Sequence, residues 1–264
     1  MLSLKHIHKT FNPGTVDEKV ALQEICLTLK PGDFVTIIGS NGAGKSTLMN
    51  MIAGVIFPDG GTIEIDGLPV NHLAEHQRAP LIGRVFQDPM AGTAPNMTIE
   101  ENLAIAYSRD KKRTLRKGVN RKRRELFREY LSSLHLGLEN RLTAKVGLLS
   151  GGERQALSLL MATFTKPKVL LLDEHTAALD PARAQLITEL TKEIVERSHL
   201  TTLMVTHNMK QAIELGNRLI MMDKGRIILD VPEEEKKNLT IDRLLSEFER
   251  IRGEKLANDR VMLA

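Results

Sequence analysis

Residues 34–39, FVTIIG, form a nearly continuous apolar run that stops at a glycine. A run this short, rich in β-branched residues and without polar alternation, predicts a strand buried on both faces. KVLLLD (168–173), TTLMVT (201–206) and RLIMMD (218–223) repeat the pattern, and RIILD (226–230) follows RLIMMD across a Lys224-Gly225 turn. LIGRVFQD (81–88) predicts another strand, whereas GGTIEIDG (60–67) alternates apolar and polar positions like a hairpin strand. Residues 1–30 read as short strands broken by turns at 12–14 (NPG) and 30–33 (KPGD). After Gly39 the period changes, and Leu48, Met49, Ile52 and Val55 fall at helical spacing. Helical patterning also runs from 89 to 165 and follows Pro181, where a first-turn proline loses no helical hydrogen bond. The charged tail from Pro232 reads as helical too.

Strands alternating with helices imply a parallel sheet covered on both faces. Strand spacing is regular before and after the helical block, so 88–165 is expected to be an insertion in a core made of 1–87 and 166–264. The 264 residues are 42% hydrophobic and 27% charged, which fits a globular chain with an ample core. The longest stretch without a charge, Ser46 to Pro58, has 13 residues and is too short to cross a bilayer. The opening MLSLKHIHKT has no secretory apolar run, so the expected location is the cytoplasm, with a partner needed to hold the chain at a membrane. The single cysteine, Cys26 in EICLTL, is expected in a strand and in the core. A net charge of +4 permits an anionic partner without requiring one, and 3% aromatic residues argue against a stacking platform for single-stranded nucleic acid.

The chemistry begins where the first buried strand ends. GSNGAGKST (39–47) fits G-x-x-x-x-G-K-[ST] between a strand and a helix. Gly39, Gly42 and Gly44 permit backbone angles that turn successive N–H groups toward one phosphate-sized point. Lys45 adds a point charge for β- and γ-phosphates, Ser46 can ligate Mg²⁺, and the helix N-terminus favours an anion. VLLLDE then acquires a purpose. Asp173, at the end of another buried strand, suits a water-mediated Mg²⁺ contact. Glu174 points differently and suits the water that attacks the γ-phosphate. LSGGERQ (149–155) opens a second helix with a serine and two glycines, which is a second anion site. Lys45 already serves this chain's nucleotide, so the second site makes sense over a nucleotide held by another chain.

With these motifs the sequence resembles the ATP-binding cassette (ABC) ATPases over nearly its whole length. GSNGAGKST resembles their P-loop, LSGGERQ their signature, and VLLLDE their strand with metal-binding and catalytic acids. The resemblance implies an α/β P-loop NTPase (RecA-like) fold. Its mixed sheet would carry an N-terminal antiparallel β portion and an inserted helical subdomain. It also assigns Gln87 as a hinge glutamine that contacts metal, Asp180 to a loop crossing the dimer interface, His207 as a switch histidine, and Phe11 as an aromatic stacked on adenine. Nucleotide binding would then fall to Phe11, to Gly39, Ser40, Asn41, Gly42, Ala43, Gly44, Lys45, Ser46 and Thr47, and across the dimer to Ser150, Gly151, Gly152 and Asp180. Catalysis would fall to Glu174, His207, Lys45 and Gln87, and the metal to Ser46, Gln87 and Asp173. The implied assembly is a head-to-tail homodimer holding ATP and Mg²⁺. It would sit on the inner face of the cell membrane beneath separate permease subunits, with an extracellular substrate-binding protein and no nucleic acid. Import is the expected direction, and a subunit of an exporter or a cluster-assembly ATPase are the alternatives.

The chain departs from the family at His175, where a proline usually follows the catalytic glutamate. A histidine there can titrate near neutral pH and tune hydrolysis, or it can be a neutral loop substitution. DEHTAALDP resembles cassettes of amino-acid uptake, particularly of aromatic ones. Ten Lys or Arg lie between Arg109 and Arg124 against one acid, Asp110. They read as a solvated face, or as contacts to anionic headgroups or to an acidic partner loop.

Overall fold

The computed structural model describes residues 1–111 and 117–252. In chain order the first elements are β1 (Leu2–Phe11), β2 (Lys19–Leu29), β3 (Phe34–Gly39), α1 (Lys45–Ala53), β4 (Gly60–Ile65), β5 (Leu68–Pro69), α2 (Glu75–Arg78) and β6 (Ile82–Val85). Next come α3 (Ile99–Tyr107), α4 (Arg121–Ser132), α5 (Gly151–Thr163), β7 (Val169–Asp173) and α6 (Pro181–Ser198). The last are β8 (Thr201–Val205), α7 (Met209–Glu214), β9 (Arg218–Asp223), β10 (Arg226–Val231), α8 (Glu233–Lys236) and α9 (Ile241–Arg252). They form two compact units, Met1–Arg78 with Leu200–Ala264, and Ala79–His199.

The first unit contains an antiparallel sheet in the order β2-β1-β4-β5. Period-two alternation buries Leu2 and Leu4 of β1 with Ile25, Leu27 and Leu29 of β2 and Ile63 and Ile65 of β4, and a register shift between Leu4 and Ile7 returns Ile7 to the same buried face. The same alternation overturns one expectation: Cys26 lies in β2 but is exposed, because its neighbours Ile25 and Leu27 take the core face. Its Sγ accepts a hydrogen bond from the His6 amide at 3.3 Å.

Beside this sheet, β3 runs parallel to β8 and β9, and β10 closes antiparallel on β9. All six residues of β3 are buried, as its uninterrupted apolar pattern requires. The β9–β10 turn is built from Lys224 at φ 46° and Gly225 at φ 77°, the two positive angles that a tight hairpin needs. The tail is helical and packs inward. Leu239, Leu244 and Phe248 join Ile38, Met209, Leu219 and Met221 in one cluster. Helix α1 stops at Ala53 on a left-handed Gly54, so Val55 falls beyond the helix and is half exposed, not on its buried face. The end of α1 is capped from outside. The Arg78 guanidinium, fully buried, donates to the carbonyls of Met51 and Ile52 at 2.8 Å each and to Leu73 at 2.8 Å.

The second unit takes in β6, β7 and α6 together with α3, α4 and α5. Strand β6 pairs in parallel with β7, and α5 lies so close to β6 that a Cβ on Gly83 would sit 2.3 Å from the Ala162 carbonyl oxygen. Helical structure begins later than position 89. Residues 88–98 are turns, held by the buried Asn102 side chain on both the N–H and the C=O of Ala94, and α3 starts at a Thr98–Glu101 capping box. The scarce aromatics concentrate here. Tyr107 of α3, Phe127 of α4 and Phe164 after α5 meet edge to face with centroids 5.5–6.1 Å apart. Part of the basic run, 112–116, lies outside the described residues. Of the rest, Arg124 forms a two-pronged pair with Glu100 at 2.6 and 2.8 Å, and Arg123 stacks over Tyr107.

Candidate nucleotide site

Within the first unit, the site is made where parallel strands end. The register that pairs Ile37 with Val205 and Gly39 with Met222 brings the ends of β3, β8 and β9 level. His207, half-buried, follows β8 by two residues and so stands level with Gly39. The loop between β3 and α1 is held tightly on its protein side. A Cβ on Gly39 (φ 152°) would lie 2.1 Å from the Met222 carbonyl oxygen, and one on Gly44 (φ 98°) 2.5 Å from that of Ala21. On its outer side Asn41 and Gly42 are exposed, and a Cβ on Gly42 would meet nothing within 4 Å. The asymmetry is that of a loop pressed against the core and open to a ligand.

Ala43 is buried and its carbonyl accepts from the Gly225 amide at 3.1 Å. The Ser40 hydroxyl donates to Asp223 at 2.8 Å. Asp223 and Gly225 were legible in the sequence only as a strand end and a turn, and the structure adds that this hairpin carries the loop. Lys45 is buried, and its ammonium donates to the carbonyls of Gly39 at 2.6 Å and Ser40 at 3.1 Å. Ser46 is exposed and Thr47 half-buried in the first turn of α1. That turn has no side-chain cap, because the residue before it is Gly44. Helices α3, α4, α5, α6 and α7 all have one, from Thr98, Asn120, Ser150, Asp180 and Asn208. An uncapped helix start beside a buried ammonium suits a polyphosphate. Phe11, at the end of β1, is half-buried and not core, and the Lys9 ammonium lies 5.7 Å from its ring centroid.

Within the second unit, Asp173 at the end of β7 and Gln87 just past β6 line the same open cleft of about 440 Å³, with Phe86, Asp88, Ala91 and Ala178. The Asp173 carboxylate also meets Arg84 at 3.3 Å, and the Arg84 guanidinium stacks on Phe86 at 4.6 Å. Sequence reasoning missed Arg84, since no local pattern marks a cation 89 residues from its acid. The fully buried Gln155, inside the signature stretch, donates to the Phe86 carbonyl at 3.1 Å. The signature helix thus grips the residue before Gln87.

Ser150 begins α5 as half of a capping box. Its hydroxyl accepts from the Glu153 amide at 3.3 Å, and Glu153 accepts from the Ser150 amide at 2.7 Å. The hydroxyl also hydrogen-bonds the Glu153 carboxylate, so a phosphate would take its hydrogen in competition with that acceptor. Burial is the largest single effect on Glu153 and raises its pKa, but the hydrogen bonds from Ser150 and the Arg141 guanidinium together outweigh it and hold the carboxylate below its usual range. Gly151 and Gly152 have an intramolecular use as well. A Cβ on Gly152 would lie 3.1 Å from Arg183 Cδ, and one on Gly151 3.3 Å from Leu179 Cδ2. Asp180 is exposed and caps α6, accepting from the Arg183 amide at 3.2 Å.

Glu174 is half-buried and adopts a left-handed φ of 45°. His175 is buried, and burial pushes its pKa down to about 4. The imidazole is therefore neutral around pH 7, which removes the basis for a neutral-pH titration at this position.

The donor set expected for Mg²⁺ is a serine hydroxyl, an amide oxygen and one carboxylate, from Ser46, Gln87 and Asp173. All are hard oxygen donors, and a single carboxylate suits an ion that keeps much of its water and shares substrate phosphates.

Comparison with known proteins agrees with the motif order. The family described as ABC transporter matches residues 22–177. A tyrosine transport ATP-binding protein of Clostridioides difficile is 46% identical over 249 residues, covering 94% of this chain and 99% of that protein. The methionine import ATP-binding protein MetN of Bartonella henselae is 34% identical over 231 residues, 86% of this chain and 64% of that one. Among solved structures, the dimeric post-hydrolysis state of the ATP-binding cassette MJ0796 bound to ADP and Pi superposes with a TM-score of 0.75. It is 30% identical and covers 88% of this chain and 99% of that one.

Proposed function

The chain belongs to the ABC transporter family, and from that premise we propose that it is the ATP-hydrolysing subunit of a bacterial uptake system for aromatic amino acids. It works as a head-to-tail homodimer on the inner face of the membrane, beneath separate permease subunits served by an extracellular binding protein. Among the described residues no helix is long and apolar enough to cross a membrane. The observation that carries the reading is the loop from Gly39 to Lys45. It puts a buried ammonium on the loop carbonyls beside an uncapped helix start. The cargo class follows the name of the Clostridioides difficile relative, which matches almost end to end, and the DEHTAALDP stretch.

In this reading the P-loop amides and Lys45 bind the β- and γ-phosphates of ATP, and Phe11 supports the adenine. Ser46, Asp173 and Gln87 would hold Mg²⁺, which when bound would neutralise charge on the phosphate oxygens. Glu174 accepts a proton from the attacking water and orients it in line with the γ-phosphate. His207 and Lys45 donate to the charge that develops on the γ-phosphoryl oxygens. Ser150, Gly151 and Gly152 of the second copy close over the same phosphate, with Asp180 at the seam, and exclude water. Gln87 reports the phosphate state to the signature helix, because Gln155 of that helix holds the neighbouring Phe86 carbonyl.

Glu174→Gln tests the reading. ATP binding is expected to persist while hydrolysis falls by at least about a hundredfold, and a stable dimer accumulates with ATP. Turnover at the wild-type rate, or a monomer that hydrolyses ATP at full speed, refutes it. Co-purification with a multi-span membrane protein, and ATPase stimulation by tyrosine in the intact complex, test the transport assignment and the cargo separately.

A further inference from the structure

The turn after Glu174 is fixed from below by a side chain that belongs to no motif. His175 has 2% of its surface exposed, and its Nε2 lies 2.9 Å from the Thr191 hydroxyl oxygen. Thr191 is itself fully buried in the middle of α6. Its hydroxyl donates to the Ile187 carbonyl at 2.7 Å, so that proton is spent within the helix. The oxygen can then only accept from His175, which selects the tautomer with hydrogen on Nε2.

Next to this anchor Glu174 holds its left-handed backbone angle, a conformation that a non-glycine residue keeps only when its surroundings enforce it. The turn continues with the Ala177 amide donating to the Glu174 carbonyl at 2.9 Å and Leu179 to Thr176 at 3.2 Å. A proline at 175 would restrict this backbone through its ring. Histidine leaves φ free, and the buried hydrogen bond to α6 supplies the restraint instead.

We propose that His175 is a positioning residue. Through Thr191 it ties the turn to α6 and so fixes the direction in which the Glu174 carboxylate is presented. The proposal rests on the role given to Glu174 above.

The experiment compares Thr191→Val, Thr191→Ser and the double variant His175→Pro/Thr191→Val in the full chain, with Glu174→Gln alongside. Thr191→Val keeps the shape of the side chain and removes the acceptor. Its turnover per ATP-binding site is expected to fall on the order of tenfold or more, with KM for ATP unchanged within about twofold. Thr191→Ser keeps the hydroxyl and restores turnover. The double variant removes the orphaned N–H and lets the ring restrain the backbone, so it also regains turnover, and it serves where Thr191→Val alone does not fold. Unchanged turnover in folded Thr191→Val overturns the proposal. So does a loss shared equally by turnover and ATP binding, or a double variant that binds ATP normally and remains slow. If Glu174→Gln hydrolyses ATP normally, the role of Glu174 has failed. If Glu174→Gln is inactive and Thr191→Val is not impaired, the failure is confined to His175.

Discussion

Gly39 and Gly42 belong to one loop, yet the structure asks different things of them. At Gly39 both the backbone angle and the space forbid a Cβ, which would press into the Met222 carbonyl of the neighbouring strand. At Gly42 only the angle is unfavourable, since the space is open. Gly42→Ala is therefore expected to lower unfolding stability by about 1 kcal/mol, and Gly39→Ala by about 3 kcal/mol, read from denaturant midpoints. Equal losses would show that the contact with β9 is not what constrains the loop. The motif made both glycines visible in the sequence, because a phosphate-binding loop has a local backbone requirement. It did not distinguish them, because Met222 is far away along the chain. His175 shows the same limit. Its identity was conspicuous, but its burial, and hence its neutrality, depended on how α6 lies over the turn.

Helix ends carry the next scale of the argument. Helix α1 begins without a side-chain acceptor and ends on Arg78, while α5 and α6 begin with Ser150 and Asp180 as caps. Arg78→Met would leave the last carbonyls of α1 buried without their donor, and a loss of about 2–3 kcal/mol is expected in unfolding experiments. Asp180→Ala removes one exposed cap and is expected to cost about 1 kcal/mol. Ser150 caps α5, and variants separate that role from the one proposed for it on ATP. Glu153→Ala breaks the capping box but keeps the hydroxyl, so a lower Tm with near-normal ATPase per folded dimer is expected, whereas Ser150→Ala lowers both. Strand existence was legible almost throughout, and β3 and β9 match their apolar runs residue for residue. The end of α1 was not, because Val55 keeps the helical period although Gly54 and Arg78 have already closed the helix.

At the scale of the molecule, the tail is fastened to the core by one buried cation. The Lys236 ammonium contacts Thr36 Oγ1 at 3.4 Å, 200 residues away, together with the carbonyls of Leu215 and Gly216. Burial pushes its pKa down from 10.5 to about 8. Between those values the unfolded chain holds a proton that the folded one has released, so stability rises as pH rises through this window. As pH falls back to about 8 the gain is lost, and below it there is no further change from this group. The gain amounts to about 3 kcal/mol at most. Lys236→Met is expected to flatten this part of the stability profile, measured by denaturant unfolding at pH 7.5 to 10.5 (a range of about three units). A variant with the same slope as the wild-type chain would mean that Lys236 keeps its proton in the fold.

The sequence by itself determined which segments are strands and where the glycine-rich GSNGAGKST loop lies between β3 and α1. Each of those rests on a contiguous stretch whose local backbone or periodicity is its own evidence. Only the tertiary structure decided that Cys26 faces outward, that Asp223 receives Ser40, that Arg84 meets Asp173, and that Arg183 lies over Gly152. These depend on strand register and helix placement, which join residues with no periodic relation along the chain. A one-residue shift in register would move every such partner to the opposite face.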